Sequence, residues 1–393
     1  MRIFPTRWPF AAVLLFAIAA HAQPSKVTRL DGVKITAAQI DADVTKAMKD
    51  AQVIGAGIAI FNEGQISYLR AYGFRDTEKH LPLTPDSVMT AASLSKAAFA
   101  TMVMTLVHDG IIDLDKPVYE YLPRPLPEYQ EYADLTSDPR YKQITMRMLL
   151  DHTSGFPNWR LFTQDRKLRI YFTPGSRFAY SGEGIALAQM VVEKVTRQPL
   201  TELMRARLFE PLHMTRTSMI WEDRFETDYA NGYDENGKSL GPQRRRVPNA
   251  AGGMQTTLRD YARFIEAVLD GAIPDRASRD AMFSPQIRIN SKHEFPSLDT
   301  ETTTENEAIR LSYGLGWGLY WSPYGKAFFK EGHDEGWRHY VVCFDHAKTG
   351  VLIMTNSSNG ENMYDGLLRQ LIADTFTPLE WEGFRPTTLP GRP

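Results

Sequence analysis

The stretch Thr90-Ala91-Ala92-Ser93-Leu94-Ser95-Lys96-Ala97-Ala98-Phe99 sets a lysine three residues after a serine in an otherwise apolar run. The run stays hydrophobic until Gly110, a natural helix-ending residue, so a helix is predicted from about Ser93 to Gly110. Helical positions three apart share a face, so Ser93 and Lys96 can touch. Ser93 falls in the first turn, where unpaired backbone N–H groups favour developing negative charge. Lys96 is the only charged residue between Ser87 and Val107. An amine held among apolar neighbours loses hydration, its pKa falls, and the neutral form can take a proton. A serine hydroxyl is a poor nucleophile without such a base. The same spacing also arises by chance, as a helix cap followed by a lysine that snorkels to water. The apolar setting favours the chemical reading.

Outward from this helix, strand patterns lie at both ends of the chain and helical patterns between them. Residues 36–50 carry Ile40, Val44 and Met48 four apart, as an amphipathic helix does. Val53–Phe61 and Gln65–Gly73 read as two strands joined by the hairpin-forming Asn62-Glu63-Gly64. The clearer helices of the middle are 183–197 and 257–269. Residues 328–332, 337–344 and 350–356 read as successive antiparallel strands, the last two joined by the Asp345–Thr349 turn, and a last helix fits 362–376. The pattern predicts an α/β (α+β) fold. One antiparallel sheet is built from the N- and C-terminal segments (about 36–90 and 311–378), with an all-helical lobe (about 91–310) inserted. A cleft between two such lobes is a common place for a site.

Composition narrows the partners. The chain has 393 residues, 43% of them hydrophobic, enough for a large core in one catalytic domain over 23–385. Lys and Arg number 45 against 47 Asp and Glu, so no broad basic field exists for a nucleic-acid backbone. The short run Arg244–Arg246 reads as a solvated loop. Arg2 and Arg7, the apolar run Pro9–Ala20 and the small residues of Ala20-His21-Ala22 have the form of a cleavable export leader over 1–22. A periplasmic or secreted protein without a stable membrane anchor is expected. The single cysteine, Cys343, lies in an apolar strand-like run and reads as a buried thiol. The Pro-rich end, 386–393, reads as a loose tail.

The chain resembles the serine β-lactamase and penicillin-binding protein family, in particular its class C-like branch of esterases and peptidases. The segments that carry the resemblance keep one order: Ser93-Leu94-Ser95-Lys96, Leu106 to Pro123, Leu149 to Gly155, Pro174 to Ser181, Ala250 to Met254, Tyr313 to Trp317 and Gly332-His333. It implies that Ser93 is the nucleophile and Lys96 its lysine. Tyr180 matches the tyrosine that shares the proton traffic, and which of Lys96 and Tyr180 is the base stays open. His333 matches the strand position where relatives carry Lys or His. The N–H of Gly336 would join that of Ser93 in an oxyanion hole. His152 belongs to a segment that supports a turn beside the cleft. No metal or cofactor is expected, and the partner is a small-molecule or peptide substrate.

Two departures stand out. Relatives carry Asn two residues after the tyrosine, where Gly182 stands here, followed by Glu183. Relatives also carry Gly third in the strand motif, where His333-Asp334-Glu335 puts Glu335. Gly182 and Glu335 are therefore candidate substrate-binding positions. Both changes favour an ester or amide (peptide) substrate over a dedicated β-lactam one, and the carboxylates of Glu183 and Glu335 could read a cationic group. Two alternatives are a metal-dependent hydrolase and a catalytically silent binder of cell-wall peptides or penicillin. The first draws on His333, Asp334, Glu335 and His339, but alternate strand residues point to opposite faces and no His-Glu-x-x-His spacing occurs. Intact Ser93, Lys96 and Tyr180 weigh against the second.

Overall fold

The computed structural model describes residues 26–384 except 272 and 274. The expected leader (1–22) and loose tail (386–393) lie outside the described residues. Nine strands form one antiparallel sheet: β1 Gly55–Asn62, β2 Gln65–Asp76, β3 Leu81–Pro82, β4 Ile287–Arg288, β5 Ser312–Tyr313, β6 Gly318–Ser322, β7 Gly325–Asp334, β8 Trp337–Phe344 and β9 Thr349–Thr355. Their spatial order is β4-β5-β6-β7-β8-β9-β1-β2-β3. The two chain ends meet where β9 lies against β1, from Gly350 opposite Phe61 to Thr355 opposite Ala56. This is the sheet expected of N- and C-terminal segments.

The central strands β1, β8 and β9 carry few polar residues because both faces are covered. Ile58, Ile60, Tyr340, Val342 and Ile353 point to one side, with Ile40, Val44 and Met48 of helix α1 (Ala37–Ala51). Their neighbours Ala59, Phe61, Val341, Cys343 and Leu352 point to the other, with helix α2 (Leu94–His108). Alternation of side chains in a strand produces the two sets. Each of the Ile, Val, Leu, Phe and Met side chains among them contributes about 1.5–3 kcal/mol when buried. Cys343 is a buried free thiol, as expected. Thr36 and Gln39 close a capping box at the start of α1.

The inserted stretch holds helices α3 (Gly182–Thr196) and α4 (Leu258–Asp270), close to their expected bounds. It is less helical than the sequence suggested. Much of 118–162 is short 3-10 turns, two-residue strands pair Met89–Thr90 with Gln255–Thr256, and β4 joins the main sheet from within the lobe. Proline and glycine punctuation keeps those segments too short for whole helices. The expected 362–376 helix is a 3-10 turn, an α-turn and a π-turn over Gly360–Ile372, closed by left-handed Ala373. No helix among the described residues is long and apolar enough to cross a membrane.

One feature of the sheet positions the cleft. β6 pairs with β7 only as far as Phe329, so Lys330 to Asp334 have no strand on that side. In an antiparallel pair the backbone groups of alternate residues face alternate neighbours. The Ser322–Gly325 pairing sets Gly325, Ala327 and Phe329 towards β6, so the N–H groups of Glu331 and His333 project from the free edge. The N-terminus of α2 packs against that edge.

Candidate active site

Ser93 occupies the N-cap position of α2, yet its hydroxyl caps no backbone N–H. The hydroxyl is engaged elsewhere. Nζ of Lys96 lies 3.0 Å from Ser93 Oγ and 2.6 Å from the Ala251 carbonyl, and 4.8 Å from the centre of the Tyr180 ring. The turn before the helix is strained, with non-glycine Ala92 at φ +48°. Ser95 locks this turn by donating to the Ala92 carbonyl at 2.6 Å and accepting the Met254 N–H at 3.1 Å. No group among the described residues accepts from the Ser93 N–H.

Lys96 is buried, and burial, reinforced by the charge of Lys330, lowers its pKa to about 7. The desolvation expected from its apolar surroundings is therefore present. Tyr180 sits just before the N-cap of α3. Ser181 fixes that turn by accepting the Gly184 N–H at 2.8 Å and donating to the Pro157 carbonyl at 2.8 Å. His152 stacks on the Tyr180 ring at 4.5 Å and accepts the Ser181 N–H on Nδ1, so it supports the tyrosine as the resemblance implied. Burial first, then Glu331, hold the Tyr180 phenol well above its ordinary pKa, which keeps it protonated.

Ser93, Lys96 and Tyr180 thus come together as expected, and the strand residue is corrected. Lys330 of β7, fully buried, donates from Nζ to the Tyr180 hydroxyl at 3.0 Å and pairs with Glu331. His333 lines the same cavity, but its side chain is 53% exposed and its nearest charged partner is Glu361, 3.7 Å away. Strand alternation turns the His333 imidazole away from the face that carries Lys330 and Gly332. Gly332 is the glycine of this motif: a Cβ there would stand 2.8 Å from the Ala91 carbonyl and 3.1 Å from Leu94. The signal was in the sequence, because Lys330-Glu331-Gly332 has both the lysine and the glycine in third place.

The other strand assignments move with it. Gly336 is the turn glycine of the β7–β8 hairpin, at φ +80°, and its N–H donates to Ser358 Oγ at 2.9 Å, so it does not serve as an oxyanion donor. The His333 N–H, by contrast, projects from the edge of β7 that β6 leaves unpaired. Glu335 stays at the rim of the cavity, exposed at the hairpin tip, and does not occupy the glycine position. Gly182 does not reach the cavity: its N–H donates to Asn158 Oδ1 at 3.0 Å, and a Cβ would stand 2.4 Å from the Trp159 ring. Asn158 and Trp159 form that wall instead. Glu183 also faces away, held by the guanidinium of Arg160 at 2.7 and 2.9 Å. The Arg244–Arg246 run is paired rather than free, and Arg245 reaches Asp334 at 3.0 Å across the cavity mouth.

The cavity encloses about 790 Å³ between the two lobes and is lined by Ser93, Lys96, Tyr180 and Glu331, with Trp159, Leu161, Phe162 and Phe295 as an apolar side. An arrangement with a buried neutral amine on a serine, a protonated phenol and free N–H groups can run acyl transfer.

Comparison with known proteins gives the family and the fold. The beta-lactamase family model matches residues 40–374. Esterase EstB of Burkholderia gladioli is 30% identical over 245 residues, covering 55% of this chain and 60% of that protein. Protein flp of Staphylococcus aureus (strain MRSA252) is 26% identical over 336 residues, 81% of this chain and 62% of flp. The chain thus spans less than two thirds of the length of either relative. Penicillin-binding protein 4* of Bacillus subtilis (strain 168) is 26% identical, covering 76% of this chain and 67% of that protein. Among solved structures, the octameric penicillin-binding protein homologue from Pyrococcus abyssi superposes with a TM-score of 0.71 at 22% identity, over 89% of this chain and 80% of that one. At that identity the likeness concerns the fold.

Proposed function

The chain belongs to the beta-lactamase family, and from that premise we propose that it is a secreted serine hydrolase that turns over an ester or amide through an acyl-enzyme on Ser93. The observation that carries the reading is the 3.0 Å contact of a buried Lys96 amine, held near pKa 7, with the Ser93 hydroxyl in an open cleft. Neutral Lys96 takes the hydroxyl proton as Ser93 Oγ bonds to the substrate carbonyl carbon. The N–H groups of Ser93 and His333 hold the resulting oxyanion, a contribution of several kcal/mol in such sites. Tyr180, protonated and backed by the Lys330 ammonium, gives a proton to the departing alcohol or amine. Water then gives a proton to the Tyr180 phenolate as its oxygen bonds to the acyl carbon, and Lys96 returns its proton to Ser93 Oγ as the acid departs.

The apolar side of the cleft suits a hydrophobic acyl or leaving group. The Asn158–Trp159 wall, in place of an asparagine at 182, favours a simple ester or amide over a β-lactam. Residues 1–22 act as the export leader, so N-terminal sequencing of the exported protein should begin at Gln23. A covalent serine probe with intact-mass and peptide mapping tests the central claim. One adduct on Ser93 is expected, with turnover among p-nitrophenyl esters and D-amino acid amides exceeding that of nitrocefin. An unlabelled Ser93 in folded protein would sink the proposal.

A further inference from the structure

The cleft carries more carboxyl groups than the hydrolytic steps use. Glu294, Glu331 and Glu382 each offer a carboxylate oxygen, and these lie within 4.8 Å of one another in the cavity that holds Ser93. The three residues are 3%, 5% and 6% exposed. Lys330 pairs with Glu331 alone. Glu382 is fixed from one side, because the Tyr340 hydroxyl donates to its Oε2 at 2.7 Å, and its Oε1 has no partner among the described residues. Oε2 of Glu294 has none either. The Glu294 N–H donates to the Trp381 carbonyl at 2.9 Å, which ties the two carboxylate-bearing segments together. The buried Tyr313 hydroxyl, likewise unpartnered, lies in the field of all three carboxylates.

Native proteins rarely leave buried polar atoms without partners, and each exception calls for an explanation. Resting on the hydrolase reading and narrowing its substrate, we propose that Glu294, Glu331 and Glu382 form a subsite for a primary ammonium group, so that the ester or amide taken by this enzyme carries a free amine. An ammonium donates three hydrogen bonds. Acceptors set tetrahedrally at about 2.9 Å stand roughly 4.7 Å apart, close to the spread of these oxygens. A hard divalent ion draws six or more oxygens to about 2.0–2.6 Å, whereas three carboxylates are gathered here, one already on an ammonium. Tyr180, Phe295 and Phe384 line the same cavity and present aromatic surfaces that suit an organic cation. Burial, then Glu331 for Glu294 and Glu294 for Glu382, hold both carboxyls well above their ordinary range.

The test uses binding, so that it does not depend on turnover. Folded Ser93→Ala protein is titrated calorimetrically with alaninamide of either hand and with 6-aminohexanamide, each against its deamino isostere. At least one amine should bind tenfold or more tightly than its isostere, and adding Glu294→Gln with Glu382→Gln should erase the difference. If no amine gains more than threefold, the subsite is refuted whatever the variants do. Tight magnesium or calcium binding that excludes the amines, lost in the same variants, would overturn it in favour of a metal site. An unlabelled Ser93 in the wild-type protein would remove the hydrolase reading while leaving this measurement to stand or fall alone.

Discussion

The first turn of α2 and the free edge of β7 face each other across one cleft, and they differ in how their chemistry is encoded. Ser93 and Lys96 meet because a helix brings residues three apart onto one face, a contact set within a single turn. Lys330 meets Tyr180 only because β6 ends opposite Phe329 and leaves the edge of β7 open, a circumstance decided by pairing far along the chain. A local motif states its partner. A strand motif states its own spacing, and the sheet decides which residue of the run faces the cleft.

The largest expected effect lies on the helical side. Ser93→Ala should lower kcat/KM on the best ester by a factor on the order of 10⁴ or more with the fold intact, and Lys96→Ala should approach it, because nucleophile and base act as a unit. Circular dichroism checks the fold and steady-state kinetics the rest. Near-normal turnover by Ser93→Ala would break both halves of the comparison.

The next effect separates two readings of the strand. Lys330→Ala should cost about 10²–10³ in kcat/KM, typical of losing a group that serves proton transfer. His333→Ala should cost less than about threefold, because only its backbone N–H faces the serine. Equal losses, or the reverse order, would return the role to His333.

Tenfold to hundredfold is expected at the glycine. In Gly332→Ala the new methyl meets the Ala91 carbonyl at 2.8 Å and pushes the strand from the nucleophile. Overpacking of this kind costs about 1–3 kcal/mol of stability. Glu335→Gly, at the exposed hairpin tip, should stay within about 0.5 kcal/mol by urea denaturation. A mild Gly332→Ala would show that the strand does not need to approach α2 so closely.

Much of the fold was legible because its signals are periodic. The four-residue spacing of Ile40, Val44 and Met48 specified α1, and runs such as Trp337–Phe344 specified strands. The middle was harder to read, since its Pro- and Gly-broken segments take short turns whose shape depends on what they pack against. At the site, Ser93, Lys96 and Tyr180 were readable in order. Lys330 stands three residues before His333, and Lys330-Glu331-Gly332 satisfies both residue types. The direction of a strand side chain follows from register, which one sequence does not display. Glu294 and Glu382 carried no local signal at all; loops distant in sequence bring them to the cleft.

The smallest effect concerns protons on the helical side. With the Lys96 pKa at about 7, the neutral amine falls from about nine-tenths at pH 8 to about one-tenth at pH 6, so acylation should slow roughly tenfold over that interval. Stability runs in a definite direction too. The unfolded lysine, with a pKa near 10.4, binds a proton that the folded one releases above about 7, so folding is penalised at neutral pH and the penalty fades as pH rises towards 10.4. Wild-type stability should therefore climb relative to Lys96→Met between pH 7 and 10 by up to about 1.4 kcal/mol per unit, the limit for one proton. Urea midpoints of the two proteins measured in parallel remove the titrations of groups distant from Lys96. A parallel pair of curves, or a rate that rises only near pH 10, would mean that Lys96 stays charged, and a charged amine cannot take the serine's proton.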